Sequence, residues 1–338
     1  MFQVIAMWNL SNPDEEMKDS VDNIDLRGYN TDSFLTGEFS NKLANEDLRP
    51  LSVSNVADKY CFTRRDLYIY KGVNRPDIDT RQETWGSKAG YIIEEYVERF
   101  LRNENACTLE GYKALLAKGH NMHDCFITER EESLEKLRNL EESSHGSEIG
   151  DTHWLLSLLS NNGRAELANK ILHSLLKENG SLDTAHIKIK EEIKPNKIQI
   201  GINSPVTPDF IVPEFGIVGD IKTGVEFKPH FQLTCAGYAL AYENEYGKDN
   251  NINWGVIYFF PSRKPKAFVR PINFAQLYIF PINDFLRESF LAIRDEAYII
   301  SSKSDFPEFP PVNEREHCKY CRFKDYCITQ GLELDYNE

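Results

Sequence analysis

The sequence lacks long apolar runs, a secretory leader pattern and the paired cysteines of a disulfide framework. Its longest apolar stretches, residues 253–260 and 285–293, are far shorter than the roughly 20 residues of a membrane helix, so we expect no transmembrane segment. The first ten residues have no basic start and no small-residue cleavage site, so we expect no secretory signal. Seven cysteines, an odd number, then indicate reduced thiols in a cytoplasmic protein.

Basic residues are also in deficit, with 39 Lys and Arg against 53 Asp and Glu and a formal net charge of -14. Because proteins that bind the nucleic-acid backbone usually present a basic surface, any DNA contact of this chain must be local. The Gly-x4-Gly-Lys-Ser/Thr loop that cradles nucleotide phosphates does not occur, so any motor activity would need a separate protein.

What is present divides the 338 residues into five parts of one α/β unit. We expect an irregular lead-in over residues 1–50, then Cys61 and a helix over 51–102. A charged helical insertion follows over 103–185 and an α/β core over 186–305. Residues 306–338 form a C-terminal cysteine segment. No internal repeat interrupts this order.

The core reads as a mixed sheet flanked by helices. An amphipathic helix is predicted over Thr84–Arg102, and others over Pro229–Tyr246 and Asn283–Ser301. Strands are predicted at five β-rich segments, His186–Ile193, Lys197–Ile202, Asp209–Val212, Gly216–Lys222 and Trp254–Phe260. Phe268–Arg270 is a candidate partner of the last strand. This pattern predicts an α/β core.

The strongest chemical pattern is Pro208-Asp209 followed eleven positions later by Asp220-Ile221-Lys222. Alternate residues of a strand share a face, so Asp220 and Lys222 project together, and a hairpin can bring Asp209 alongside. Oxygen ligands suit Mg²⁺ or Mn²⁺, which activates water and polarises a phosphate. Together these residues form the PD...DxK arrangement typical of a PD-(D/E)xK, restriction-endonuclease-like core. The alternative is that Asp209 and Asp220 are turn and strand-end residues paired with Lys222 as a surface ion pair.

A third acid is expected from the helix over Thr84–Arg102. Glu94 and Glu95 both lie at the edge of its apolar stripe, and we prefer Glu94. Gln232, ten residues after Lys222, is a further candidate because it opens the next helix and could reach the metal or a phosphate.

Four cysteines could close one site, Cys318, Cys321 and Cys327 near the C-terminus together with the distant Cys61. Zinc and a [4Fe-4S] cluster both accept four cysteines. Because Cys61 has no paired cysteine of its own, as a zinc ribbon would require, the cluster is favoured. Cys107, Cys125 and Cys235 lack such spacing and are interpreted as ordinary thiols.

Basic and aromatic residues are interleaved around these ligands. Arg64, Arg65 and Arg322, with Tyr238 from the helix after the strands, are candidates for contact with single-stranded DNA. Phosphates attract the cations and bases stack on aromatic rings. The alternative is a solvated, locally basic surface.

The motifs resemble the RecB-like nucleases that accompany CRISPR spacer acquisition, the CRISPR-associated iron-sulfur exonuclease family. Residues 51–68, LSVSNVADKYCFTRRDLY, are similar to its first cysteine motif. Residues 25–29, DLRGY, and 236–243, AGYALAYE, resemble its longer branch, found with type I-A systems. The resemblance covers roughly residues 25–102 and 186–328.

The resemblance implies a metal-dependent DNA exonuclease that trims prespacer ends beside the integrase subunits of the adaptation machinery. It implies the cluster ligands Cys61, Cys318, Cys321 and Cys327, and the catalytic residues Asp209, Asp220 and Lys222. Many relatives carry a metal-binding His where this chain offers Glu94. Two other functions are therefore kept open, a repair nuclease of the same fold and a DNA-end-binding adaptor that does not cut. Oligomeric state is also left open, a homo-oligomer included.

Overall fold

A computed structural model describes the fold over most of the chain. The described residues are 38–45, 47–78, 84–102, 127–144, 146–160, 187–247, 249–262 and 276–334. The predicted lead-in and much of the predicted insertion lie outside these ranges. Within them, no helix is both long and apolar enough to cross a membrane.

Six helices precede the sheet among the described residues. They are α1 (Glu38–Ala44), α2 (Val53–Ala57), α3 (Arg65–Lys71), α4 (Trp85–Arg102), α5 (Ile127–Glu142) and α6 (Ser147–Ser160). Ser52 caps α2 in a capping box, since its side chain accepts from the N–H of Asn55 while Asn55 bonds back. The predicted helix over Thr84–Arg102 is confirmed as α4.

Strands and helices alternate through the second half of the chain. In order these are β1 (Lys188–Ile189), α7 (Lys197–Ile200), β2 (Phe210–Val212), β3 (Ile217–Gly224), α8 (His230–Tyr246), β4 (Trp254–Pro261), β5 (Gln276–Pro281), α9 (Asp284–Ser301) and α10 (Lys324–Thr329). Short 3-10 turns cover Pro213–Phe215, Val312–Glu314 and Glu316–Tyr320. The predicted helices of the second half are confirmed to within a residue.

The five strands form one mixed sheet in the order β1-β2-β3-β4-β5. Neighbours are antiparallel except β3 and β4, which are parallel, with Asp220 opposite Ile257. A parallel pair needs a crossover, and α8 supplies it. The expected mixed sheet flanked by helices is confirmed.

Strand residues alternate between two apolar cores, one on each face of the sheet. On one face Val218 and Ile257 pack among residues of α1, α2, α8 and α9. On the other face Ile221 and Tyr258 pack against α4, α5 and α6. The described part of the predicted insertion thus belongs to the covering of the sheet. Both faces of the sheet are therefore buried, which agrees with the nearly continuous run of apolar residues in β4.

Two strand predictions are wrong or untested. Lys197–Ile202 is not a strand: residues 197–200 form α7, because the Asn196 side chain accepts from the N–H groups of Ile198 and Gln199. Gly201, at φ 63°, then ends that turn. The predicted partner Phe268–Arg270 lies outside the described residues. Besides β3, the strand that pairs with β4 among the described residues is β5, which the sequence did not predict.

The C-terminal segment, residues 303–334, folds back onto α3. The Tyr68 hydroxyl donates to the carbonyl oxygens of Lys303 and Ser304 at 3.0 and 3.3 Å. Ile69 of α3 shares a small apolar core with Phe323 and Leu332. The two ends of the described chain are therefore packed together, which places Cys61 beside the C-terminal cysteines.

Candidate functional site

The first candidate site lies where β2 and β3 meet. Phe210 pairs with Gly219, so the preceding Asp209 lies opposite Asp220. Oδ2 of Asp209 accepts from the N–H of Ile221 at 2.5 Å, which fixes the carboxylate against β3. The hairpin therefore brings the two predicted acids together.

Lys222 stands beside Asp220 on the same face of β3. Its Nζ lies 2.6 Å from Oδ2 of Asp220, although the angles of this contact are not those of a hydrogen bond. Asp220 is only 1% exposed, so the pair is not the surface ion pair considered as the alternative. A buried carboxylate oxygen without an aligned donor is suited to accept a cation.

Helix α4 contributes two further acids from the other side. Nζ of Lys190 contacts Glu94, and it lies 3.3 Å from Glu98 and 2.6 Å from Asp209. Ligand oxygens of Glu94, Glu98 and Asp209 all lie within 4.8 Å of one another. Three carboxylates of this spacing could hold a divalent ion.

Glu95, the other candidate on α4, points elsewhere. It lies 2.5 Å from both Arg99 and Lys136, which binds α4 to α5. These ion pairs lower the pKa of the Glu95 carboxyl, the bond from Lys136 contributing most. Of the two alternatives, Glu94 is the one placed beside Asp209.

The crowding of acids changes the ionisation of the site. Burial raises the pKa of Asp220 to about 7; Lys222 opposes that rise and Asp209 adds to it. Burial also raises the pKa of Glu94, and the charge of Asp209 raises it further. Burial would lower the pKa of Lys222, but Asp220 and Asp209 outweigh it and raise that pKa. A bound cation would favour the ionised acids.

Helix α8 covers this site on the face of Lys222. Cys235 is fully buried there, and its pKa is raised well above the usual value by burial and then by Asp220. The pKa of the Tyr238 hydroxyl is likewise raised, by burial and then by the charge of Asp220. Gln232 is half-buried one turn before Cys235, on the same side of α8. Gln232 and Tyr238 therefore lie on a helix that borders the acids.

Two residues of the site, Glu98 and Lys190, were missed by sequence reasoning. A signal for Glu98 existed, because it follows Glu94 by four residues and so shares its helix face. For Lys190 the signal was weaker. It lies just after β1, whose Ile189 pairs with Phe210, and this register sets it opposite Asp209.

The second candidate site is a pocket between α3 and the C-terminal segment. Its lining includes all four predicted cysteines, Cys61, Cys318, Cys321 and Cys327. Burial raises the pKa of Cys321 to about 12, and it also raises those of Cys318 and Cys327. The four thiols therefore line one pocket.

Arg64 and Arg65 are placed in the interior, which argues against the DNA contacts predicted for them. Arg64 is 1% exposed and donates to the carbonyl oxygens of Asn55 and Val56 at 3.2 and 3.0 Å. Arg65 donates to the carbonyl of Pro307 and lies 4.2 Å from the Phe309 ring centroid. Arg65 thus lines the cysteine pocket, whereas Arg64 joins the start of α3 to α2.

Arg322 is different because it is exposed. Its guanidinium lies 4.8 Å from the ring centroid of Tyr70 and 4.6 Å from that of Phe323. This pairing of a cation with aromatic rings is compatible with the predicted contact to single-stranded DNA.

Comparison with known proteins adds one match. A family model described as CRISPR-associated exonuclease Csa1 matches residues 25–330, a span that contains both candidate sites. No curated protein and no solved structure matches the chain.

Proposed function

The chain belongs to the CRISPR-associated exonuclease Csa1 family, and from this premise we propose that it is a metal-dependent DNA exonuclease with a PD-(D/E)xK site. Its proposed task is to trim single-stranded or frayed prespacer ends before their integration. The observation that carries the proposal is the convergence of Asp209, Asp220 and Lys222 with acids of α4 at one edge of the sheet.

The donor set fits Mg²⁺ or Mn²⁺. All its candidate ligands are carboxylates, which these hard ions prefer, and Asp220 keeps a buried oxygen without an aligned hydrogen-bond donor. Asp209, Asp220 and Glu94 are the proposed ligands. When bound, such an ion would polarise the scissile phosphate and lower the pKa of a bound water.

Lys222 is proposed to act on the reacting groups directly. Asp220 holds its ammonium at 2.6 Å, and the neighbouring acids keep it protonated by raising its pKa. An ammonium fixed there can orient the attacking water or stabilise charge that develops on the phosphate. Gln232, on α8, is proposed to assist in positioning the strand.

For the cysteine pocket we propose a [4Fe-4S] cluster. Cys61 adds a lone thiol to the three of the C-terminal segment, whereas a zinc ribbon would pair its cysteines in two knuckles. All four thiols line the same pocket between α3 and the C-terminal segment, which supports one group that bridges the two. The cluster would clamp residues 303–334 to α3.

The catalytic assignment is tested with Lys222→Ala and end-labelled single strands in Mn²⁺. We expect cleavage to fall on the order of 100-fold or more, with the brown colour of the cluster retained. Lys197→Ala, an exposed lysine on α7, is the matched control and should cut normally. Undiminished cleavage by the Lys222 variant would remove the catalytic assignment.

The biological assignment is tested by substrate and partner. The proposal expects overhangs on a prespacer-length duplex to be shortened, and the chain to associate with purified integrase subunits. Processive digestion of long duplexes with a helicase would favour the repair nuclease instead. Binding of DNA ends without any cutting by the wild-type chain would favour the adaptor.

A further inference from the structure

Lys190 is a cation in the middle of the acidic site to which the proposed function gives no role. Its ammonium contacts Glu94 and lies 3.3 Å from Glu98 and 2.6 Å from Asp209. These are the three acids whose oxygens lie within 4.8 Å of one another. The ammonium therefore occupies the position that a cation bound by these acids would take.

The backbone holds Lys190 in this place. Its N–H donates to the carbonyl oxygen of Asp209 at 3.2 Å, so the two residues are fixed opposite each other. Its φ of 51° lies in the left-handed region, which a residue with a side chain adopts rarely. Such conformations persist where the surrounding structure enforces them, often at functional sites. The side chain is 31% exposed and is thus largely enclosed.

The charges of the site give an independent reason for a single metal ion. The acids Glu94, Glu98, Asp209 and Asp220 meet the ammonium groups of Lys190 and Lys222. With all six groups ionised the formal charge is -2, which one divalent ion balances. A second divalent ion beside Lys190 would leave an excess of positive charge, and it would meet the ammonium at the acids it needs.

We propose that Lys190 is a built-in cation that takes the place of a second metal ion. The site then accepts one divalent ion, held by Asp209, Asp220 and Glu94, while the ammonium neutralises the remaining negative charge of Glu94 and Glu98. This inference rests on the proposed function in one respect, that the site binds a divalent ion at all. Lys190 is a positioning residue here, because it acts on the acids and not on the substrate.

The test counts Mn²⁺ ions per chain by equilibrium dialysis and by the electron paramagnetic resonance of free Mn²⁺. Wild type should bind one ion, and Lys190→Met should bind two, because its three vacated carboxylates can hold another. Lys190→Arg keeps the charge and should bind one. Lys188→Met, which removes a lysine paired with Glu191 at 3.5 Å on the surface, is the matched control and should also bind one.

Two results overturn the inference: two ions in wild type, or one ion in Lys190→Met. Because uncompensated acids lower stability, unfolding midpoints are recorded in parallel. Saturating Mn²⁺ should raise the midpoint of Lys190→Met more than that of wild type, and an equal rise would contradict the proposal. Wild type that cuts DNA with two bound ions would sink this inference alone. Wild type that binds no ion and cuts nothing would sink the proposed function.

Discussion

Gly219 is the residue on which the geometry of the acidic hairpin most directly depends. It pairs with Phe210, whose fully buried ring lies over it, and a Cβ at this position would overlap that ring. We expect Gly219→Ala to lower the free energy of unfolding by about 1–3 kcal/mol, the usual cost of overpacking. Cleavage should fall as well, because Asp209 and Asp220 flank the displaced pair.

Urea unfolding of the variant measures this effect, and Gly150→Ala is the matched control. Gly150 lies in α6 with nothing within 4 Å of an added Cβ, so alanine there should leave stability unchanged or raise it by about 0.5–1 kcal/mol. An unfolding midpoint for Gly219→Ala equal to that of wild type would show that Phe210 can move aside freely.

Asp66, in the first turn of α3, should make stability depend on pH. Burial raises the pKa of its carboxyl to about 6, while a bond from the N–H of Leu67 opposes the rise. The folded chain then holds this proton more tightly than the unfolded chain. The contribution of Asp66 therefore favours folding at low pH and is lost as pH rises from about 4 through about 6.

Asp66→Asn should remove that loss because the amide imitates the protonated acid. Relative to wild type, the variant should gain about 1 kcal/mol in free energy of unfolding between pH 5 and pH 8, about one pKa unit of the shift. Denaturant unfolding of both proteins at the two values measures it. A difference that does not change with pH would show that Asp66 is not desolvated.

At this scale the sequence predicted what depends on local geometry. Alternation along β3 places Asp220 and Lys222 together without any knowledge of the rest of the fold. The environment of Arg64 could not be predicted, because its burial depends on packing between distant segments. The position of Lys190 likewise depends on how α4 lies across the start of the sheet, which no local period encodes.

Among the elements, α8 is packed unusually closely against its neighbours. At Gly237 an added Cβ would lie 2.6 Å from the Phe290 ring of α9 and 2.7 Å from Val53 of α2. We expect Gly237→Ala to separate these helices and to lower the free energy of unfolding by about 1–3 kcal/mol. Because α8 covers Asp220, activity should fall too.

Thermal unfolding with a DNA cleavage assay measures the change, and Gly86→Ala in α4 serves as the control. There the nearest atom to an added Cβ is Thr84 Oγ1 at 3.9 Å, so stability should be kept or slightly increased. If Gly237→Ala were as stable as wild type, α2 and α9 would be able to move away from α8 with little loss of packing energy.

The elements themselves could be predicted where the pattern is long. The helices α4, α8 and α9 are 17 or 18 residues long and were predicted to within a residue. The strand predicted over Lys197–Ile202 was wrong. Its six residues alternate as in a strand, but the N-cap at Asn196 and the glycine at 201 favour a helical turn. The secondary structure of a short segment therefore depends on the residues that flank it.

At the scale of the whole molecule, the proposed cluster joins the two ends of the fold. Cys321→Ala should bleach the protein, remove most of its iron and free residues 303–334 for limited proteolysis. The physical reason is that the apolar core shared with α3 is small, so three remaining thiols cannot keep the segment in place.

Iron analysis, visible absorbance and mass spectrometry of the fragments measure these effects. Cys235→Ala is the control, because this buried thiol belongs to α8 and does not line the cysteine pocket; its colour should persist. A colourless wild-type protein with one zinc per chain would show that the site binds zinc and not a cluster. Full iron content in Cys321→Ala would show that Cys321 is not a ligand.

The distance along the chain between Cys61 and Cys327 has a consequence for biosynthesis. The ribosome adds about 270 residues between these two codons, at about 5–20 residues per second, so Cys61 waits on the order of 10–50 s for its partners. A chain that is released early lacks the final thiol of the proposed cluster and would retain iron poorly. Under this proposal, loading of the cluster would act as a check on completed translation.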